Sequence, residues 1–190
     1  MQNVEQAPAR GISYGIGELL AAAMERDDQS LNARLSSLRV SLAQSMTEPG
    51  TGSLQACHEQ LMKFHALYEI EAMTSRDEAA IARFMGNAEK RLAALGSYTA
   101  DKQYLLGVRR AVMQARDDRF SDTDAGALWL GTARLARKAG NTHSAYNAVL
   151  HAYACGDQAA KLEEARLLWH DGHQRQAVHA LESAITSGVF

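Results

Sequence analysis

Apolar residues recur at steps of three and four along most of the chain, the spacing that places them on one face of an α-helix. Before residue 121 the apolar stripes predict five helices, at residues 11–23, 31–46, 53–73, 81–95 and about 99–119. The third is expected to be the central helix of this half, with the apolar face Leu54, Cys57, Leu61, Phe64, Tyr68 and Ala72. Residues 1–10 are polar and include Pro8, so we expect a disordered or frayed start and a first helix beginning near Gly11.

Polar and glycine-containing segments separate these stripes. Residues 48–52 contain a proline and two glycines, which predicts the most exposed loop of the chain. Ser75 with Glu78 and Ser121 with Asp124 have the spacing of capping boxes, which satisfy free amides at the start of a helix. The residues expected to end helices in a left-handed conformation are Gly96, Gly140, Gly156 and Gly172.

The last third of the chain repeats itself at an offset of 32 residues. The matched pairs of small residues are Ala133 and Ala165, Gly140 and Gly172, Ala145 and Ala177, Ala148 and Ala180, and Ala152 and Ala184. A unit of this length, with a glycine turn between two helical patterns, is typical of an α-solenoid of tetratricopeptide or HEAT type. We therefore predict an all-α fold of antiparallel helical hairpins, irregular in residues 11–120 and repeated in residues 121–190, within one domain.

The repeated small residues are expected to pack helix against helix. Alanine stripes let two helix backbones approach closely, while larger residues fill the neighbouring grooves. Trp129 and Trp169 are interpreted as core or groove-lining residues rather than as binding hot spots. Such hairpins cannot bury their apolar faces alone, so residues before Ser121 must supply further packing.

The composition of the chain argues against nucleic-acid binding, secretion and insertion in a membrane. The chain has 190 residues, 46% of them apolar and 22% charged, with a net charge of −2. This charge, without any basic run, does not favour direct nucleic-acid binding. The sequence lacks a signal peptide and a long apolar segment, and its two cysteines, Cys57 and Cys155, are interpreted as buried thiols. An intracellular protein that neither spans nor binds a membrane is expected.

Candidate chemistry is sparse. His170 and His173 lie on either side of Gly172, so a metal site is disfavoured. The glycines at 11, 15 and 17 lack the strand or the lysine that nucleotide-binding loops require, and a flexible helix start is the preferred interpretation. Cys57 and His58 are adjacent on a helix and point in different directions, which disfavours a nucleophile with its base. We expect no catalytic residue, no metal and no cofactor.

Several segments nevertheless resemble a known family. They are WLGTARLARKA at residues 129–139, AYNAVLHA at 145–152, GD at 156–157, ARLLW at 165–169, LMKFHALYEIE at 61–71 and DKQYLLGVRR at 101–110. These segments are similar to the FAT domain of phosphatidylinositol-3-kinase-related protein kinases, with the ATR-type DNA-damage checkpoint kinases of fungi as the nearest form. The motifs of a kinase lobe are not found in the sequence.

The resemblance implies a helical solenoid that clasps the kinase domain of the same parent chain and contributes to dimerisation. It also implies a nuclear protein, whose kinase phosphorylates Ser/Thr-Gln sites after DNA damage, and a dimer partner or a checkpoint cofactor protein as further partners. In this interpretation the chain is a piece of a longer array, because an apolar stretch follows the last repeat helix without a polar cap.

The alternative is a free-standing tetratricopeptide-like module that binds a peptide in its groove. Basic residues at matching repeat positions would favour it. Arg134 and Arg166 do match, but two positions beside the packing alanines make a weak clamp.

Overall fold

Helices make up all the regular structure in the part of the chain that the computed structural model describes, which is residues 7–47, 53–186 and 188. The predicted all-α class is confirmed. The helices are α1 (Ala7–Met24), α2 (Asp28–Thr47), α3 (Leu54–Thr74), α4 (Glu78–Ala94), α5 (Thr99–Ala115), α6 (Asp122–Lys138), α7 (Thr142–Ala154), α8 (Ala160–His170) and α9 (Gln174–Thr186).

The first helix begins earlier than the apolar pattern predicts. It starts at Ala7, so residues 7–10 are helical rather than disordered. Pro8 lies in the first turn, where its missing amide has no helical partner to lose and its fixed φ suits the helix. The rest of the expected disordered start, residues 1–6, and the expected exposed loop at residues 48–52 lie outside the described residues.

The helices group into two compact units. The first unit comprises the chain up to Gly96 together with residues 107–118, and the second comprises residues 97–106 and 119–190. Helix α5 contributes its two parts to different units. The division falls close to the expected start of the repeats at residue 121, but residues 97–106 also group with the repeats.

Helix α3 buries a different face from the expected one. Leu54 and Leu61 are exposed, and Tyr68 is 46% exposed. The buried stripe is Met62, Ala66, Leu67, Glu69, Ile70 and Met73. Glu69 interrupts the apolar pattern of this stripe, so the sequence does not predict it as a buried face. The charge of Glu69 is neutralised inside the unit by Arg109. The remainder of the first core comes from α1, α2, α4 and α5, with Leu19, Leu35, Leu42 and Val112 fully buried.

The second unit contains two helical hairpins in 32-residue register. Helices α7 and α9 have 13 residues each and begin at Thr142 and Gln174, which are 32 positions apart. Helix α8 is shorter than α6, with 11 residues against 17, because the positions matching the start of α6 form the end of α7 and its turn. Helix α6 packs against both α7 and α8, and α8 packs against α9.

Three of the helix-ending glycines close the same kind of turn. Gly140, Gly156 and Gly172 have φ values of 74°, 77° and 83°, which side chains with a Cβ rarely adopt. The amide after each glycine donates to the carbonyl five residues before it, as Asn141 does to Ala136 at 2.9 Å. This is the Schellman motif. Gly96, with φ 60°, follows the last turn of α4 in the same left-handed region.

The residues that cap two helix starts can be compared with the predicted ones, and one of the two predictions is correct. The capping box at Ser121 is confirmed, because Asp124 N donates to Ser121 Oγ at 3.3 Å and Ser121 N donates to Asp124 Oδ2 at 2.9 Å. Helix α4 is capped by Asp77 rather than by Ser75, since the Asp77 carboxylate accepts from Ala79 N at 2.9 Å. Ser75 Oγ instead accepts from the amide of Asp77, which positions that cap.

Candidate functional site

The repeated alanines lie where helices of the second unit meet. Those with at most 3% of their surface exposed are Ala133, Ala145, Ala148, Ala152, Ala165, Ala177 and Ala184. Ala180 is half-buried. Four of them share a core cluster with Leu130, Val149 and Leu167. This arrangement places α6, α7 and α8 at the close distances that small residues allow.

The two tryptophans, grouped together from the sequence, have different environments. Trp129 is partly buried against the alanine cluster, and its ring stacks on His151 at 4.2 Å between centroids. Trp169 is 56% exposed, so it is not a core residue. The repeat register explains the difference, because the position matching Trp169 is Arg137, whereas Trp129 matches Lys161.

A completely buried ion pair joins α3 to α5 in the first unit. Arg109 Nε and Nη2 donate to the two oxygens of Glu69 at 2.8 and 2.6 Å. Both side chains have at most 1% of their surface exposed. A bidentate arginine–carboxylate pair is the geometry that best offsets the cost of burying two charges. The pair therefore determines which faces of α3 and α5 can meet.

Further cationic and aromatic groups surround this pair. Arg91 from α4 reaches Glu69 at 3.5 Å and lies over the Tyr68 ring at 4.3 Å from its centroid. Its Nη2 also lies 3.1 Å from His65 Nδ1. Burial and the neighbouring Arg91 charge lower the pKa of His65 below its usual value. The ring is consequently held in its neutral form at physiological pH.

An open groove of about 530 Å³ lies between α3 and α4, beside this cluster. Its lining includes Tyr68, Phe84, Asn87, Arg91 and Glu71. Both terminal guanidinium nitrogens of Arg39 donate to the Glu71 carboxylate, which lowers the pKa of that carboxyl. Each charged side chain of the lining already has a counter-ion outside the groove: Arg39 for Glu71, Asp77 for Arg83 and Glu69 for Arg91.

A second buried carboxylate lies in the second unit, and its surroundings differ. Glu163 on α8 is 1% exposed, and Arg137 Nε on α6 donates to its Oε1 at 2.5 Å. Arg166 Nη1 donates to Oε2 at 3.2 Å, and Arg134 Nε lies 3.9 Å from the same oxygen. Three guanidinium groups therefore surround one carboxylate, which leaves a local excess of positive charge.

The remaining candidate residues lie in structural positions. Gly11, Gly15 and Gly17 are all within α1, not in a loop, and a Cβ on Gly15 would lie 2.6 Å from Leu38 Cδ2 on α2. Gly15 thus allows two helices to approach closely. Cys57 is exposed, contrary to the expected buried thiol, and Cys155 is half-buried. His170 ends α8, while His173 precedes α9.

The sequence profile of the FAT domain matches residues 16–188. The chain belongs to the FAT domain family. Within the described residues, no helix is long and apolar enough to cross a membrane.

Several proteins named as kinases contain a segment similar to this chain. The chain is 25% identical to protein kinase rad3 of Schizosaccharomyces pombe over 177 residues, 92% of this chain. It is 24% identical to serine/threonine-protein kinase ATR of rice (Oryza sativa subsp. indica) and 26% identical to serine/threonine-protein kinase MEC1 of Kluyveromyces lactis, over 90% of this chain in both cases. The chain spans only 7 to 8% of the length of these relatives. No solved structure matches it.

The buried charges of this FAT segment were not found from the sequence. Glu69, Arg109 and Glu163 are buried on helix faces that apolar periodicity passes over, and Arg116 is buried in the turn after α5. One signal was available for Glu69, which lies three residues after Ala66 and four before Met73 and so continues their stripe. No comparable signal identified which arginine would pair with it.

Proposed function

We propose that this chain is a regulatory FAT segment of an ATR-type serine/threonine checkpoint kinase that acts in the DNA-damage response. The match of the FAT family over residues 16–188 carries the proposal. It is supported by relatives that are named as kinases and match 90 to 92% of this chain within a small part of their own length. The segment would act in the nucleus and without cofactors.

In this proposal the role of the segment is mechanical. Its helices would hold the kinase domain of the parent chain and provide surfaces for a dimer partner or a checkpoint cofactor protein. Buried alanines in the repeats and the buried Glu69–Arg109 pair support such a role, because both favour one rigid arrangement of helices. Phosphoryl transfer would belong to the kinase domain, which holds magnesium and the nucleophile in such enzymes.

Reading the transcript across both ends of this coding region tests the assignment. The proposal predicts one open frame that continues downstream into a kinase domain. The purified 190-residue chain, incubated with ATP, magnesium and a Ser-Gln peptide, should show no phosphate incorporation above background. A frame that closes without a kinase domain, or phosphate transfer by the isolated chain, would contradict the proposal.

The second candidate is a free-standing helical-repeat module that binds a peptide or protein partner. One specific observation favours it: the matching residues Arg134 and Arg166 are 49% and 48% exposed rather than buried among the alanines. A closed reading frame around this segment would support this candidate over the first.

A further inference from the structure

We propose that Arg134, Arg166 and Trp169 form a docking surface for an acidic peptide segment of a partner protein. These residues lie on α6 and α8, the first helices of the two repeats, which pack against each other. The proposal goes beyond the kinase assignment and does not depend on it, because the surface belongs to the second unit alone. We call these three residues the arginine–tryptophan surface.

The number of arginines around Glu163 exceeds what its burial requires. In the first unit, a single buried arginine satisfies Glu69 through two hydrogen bonds, and a second arginine 28% exposed lies at 3.5 Å. Around Glu163, Arg137 donates to Oε1 at 2.5 Å and the half-exposed Arg166 donates to Oε2 at 3.2 Å, so each oxygen has a donor. Arg134, also half-exposed, adds a third guanidinium group at 3.9 Å. Within the described residues, Arg134 and Arg166 have ion pairs with no other acid.

Glu163 also holds the two exposed arginines in place. Arg134 Nε and Arg166 Nη1 lie 3.9 and 3.2 Å from the same Glu163 oxygen, so these nitrogens are separated by at most the sum of those distances, about 7.1 Å. A guanidinium has five N–H donors, and one carboxylate oxygen leaves most of them free for another acceptor. Because the hydrogen bond to Glu163 already orients Arg166, an incoming anion binds that side chain at a smaller entropic cost.

Trp169 makes the surface suitable for a protein segment rather than a free anion. It lies three residues after Arg166 on α8, the spacing at which side chains on a helix are neighbours, and it is 56% exposed. Tryptophan and arginine are the residue types most enriched among binding hot spots. A peptide with acidic and apolar side chains would pair with the arginines and cover the indole ring.

The charge of the whole chain argues against a nucleic acid on this surface. Binding to a phosphate backbone requires many cationic contacts along its length, whereas this chain has a net charge of −2. Two exposed arginines beside one aromatic ring match a short acidic segment in size and in charge. The acidic groups can be carboxylates or phosphoserine, since both accept the same charge-assisted hydrogen bonds.

Fluorescence anisotropy with labelled peptides tests the proposal. The probes are a peptide of repeating Glu-Asp-Leu, its uncharged Gln-Asn-Leu counterpart, and a version with phosphoserine in place of the acids. The variants of the 190-residue chain are the double variant Arg134→Gln/Arg166→Gln, Trp169→Ala, and the control Arg175→Gln. Arg175 is exposed on α9 of the same unit, so the control removes one charge outside the surface.

We expect the acidic peptide to bind and the uncharged peptide not to bind. The double variant should weaken binding about 10-fold or more, since each lost bond to a charged group has a large effect. Trp169→Ala should weaken it as well, and Arg175→Gln should change it less than about twofold. Tighter binding of the phosphoserine peptide would support the same surface with phosphate as its preferred anion.

Three results would overturn the proposal. They are equal binding of the acidic and uncharged peptides, an equal loss with Arg175→Gln, and concentration-dependent dimerisation in sedimentation that the double variant abolishes, which would assign the surface to a second copy. If the double variant does not fold, Arg134→Gln alone replaces it. Arg134 makes no hydrogen bond to Glu163, so its removal leaves both bonds of that carboxylate intact.

Discussion

Loss of one charged residue inside the first unit should be unusually destabilising. Glu69 and Arg109 are both inaccessible to solvent, so neither can be hydrated if its partner is lost. An uncompensated buried charge costs several kcal/mol, whereas replacing both partners with apolar residues of similar volume is often neutral. Neither residue can therefore be replaced alone without a large loss of stability. Together they fix which faces of α3 and α5 meet.

Arg109→Met should lower the free energy of unfolding by about 3 to 5 kcal/mol, because Glu69 keeps only Arg91 at 3.5 Å. The double variant Glu69→Leu/Arg109→Met should recover most of that loss. Urea unfolding followed by circular dichroism measures both, with Arg83→Met, at a side chain 75% exposed, as a control that changes little. An Arg109→Met variant within about 1 kcal/mol of the parent chain would contradict the role given to this pair.

His65 should make stability depend on pH. Its pKa is lowered in the folded chain by burial and by the charge of Arg91, so the unfolded chain binds a proton more readily. Above the unfolded pKa of His65, about 6.5, the residue is neutral in both states and does not lower the free energy of unfolding. That free energy falls as the pH drops from there through the folded pKa. His65→Asn should show a weaker loss between about pH 7 and pH 5.5, in thermal melts at matched ionic strength. Parallel pH profiles for the two proteins would exclude this effect.

The stability of a repeat helix depends on the residue in the turn that ends it. Gly156 ends α7 with φ 77°, a conformation that is unfavourable for any residue with a Cβ. Gly131 lies inside α6, and a Cβ built on it meets nothing within 4 Å. The same Gly→Ala change should therefore have opposite effects at these two positions.

Gly156→Ala should destabilise the chain by about 1 to 2 kcal/mol. Gly131→Ala should stabilise it by up to about 1 kcal/mol, since alanine has the higher helix propensity. Melting temperatures of the two variants test the Schellman turn directly. A shift of the melting temperature in the same direction for both variants would show that the left-handed turn is not what requires glycine at position 156.

Packing between helices of the second repeat depends on residue size. Ala177 is 1% exposed and begins the small-residue stripe of α9, whereas Ala127 on α6 is exposed. Ala177→Leu should overpack the helix contact and cost about 1 to 3 kcal/mol. Ala127→Leu should stay within about 0.5 kcal/mol of the parent chain, as measured by urea unfolding. An unchanged midpoint for Ala177→Leu would show that this stripe does not pack helix on helix.

Across the whole molecule, the sequence predicted the helices better than the faces they bury. Apolar periodicity, glycine stops and the 32-residue register located every helix of the described chain, because these signals are local. The apolar pattern did not predict the buried face of α3, because burial of Glu69 depends on Arg109, which is 40 residues away. The sequence grouped Trp169 with Trp129 by residue type, although their repeat positions differ. Long-range charge pairing, which leaves no periodic signal, accounts for both the missed α3 face and the missed Glu163 cluster.

In the proposed role, the packed repeats of this FAT segment support the kinase domain of the parent chain. The most direct test is the activity of the complete gene product toward a Ser-Gln peptide, measured for Ala177→Leu and Ala127→Leu at equal expression. The account predicts a clear loss of kinase activity for Ala177→Leu, because its helix contact is overpacked, and activity close to that of the parent for Ala127→Leu. Equal activity of the two variants, once Ala177→Leu is shown to be destabilised in the isolated chain, would contradict it.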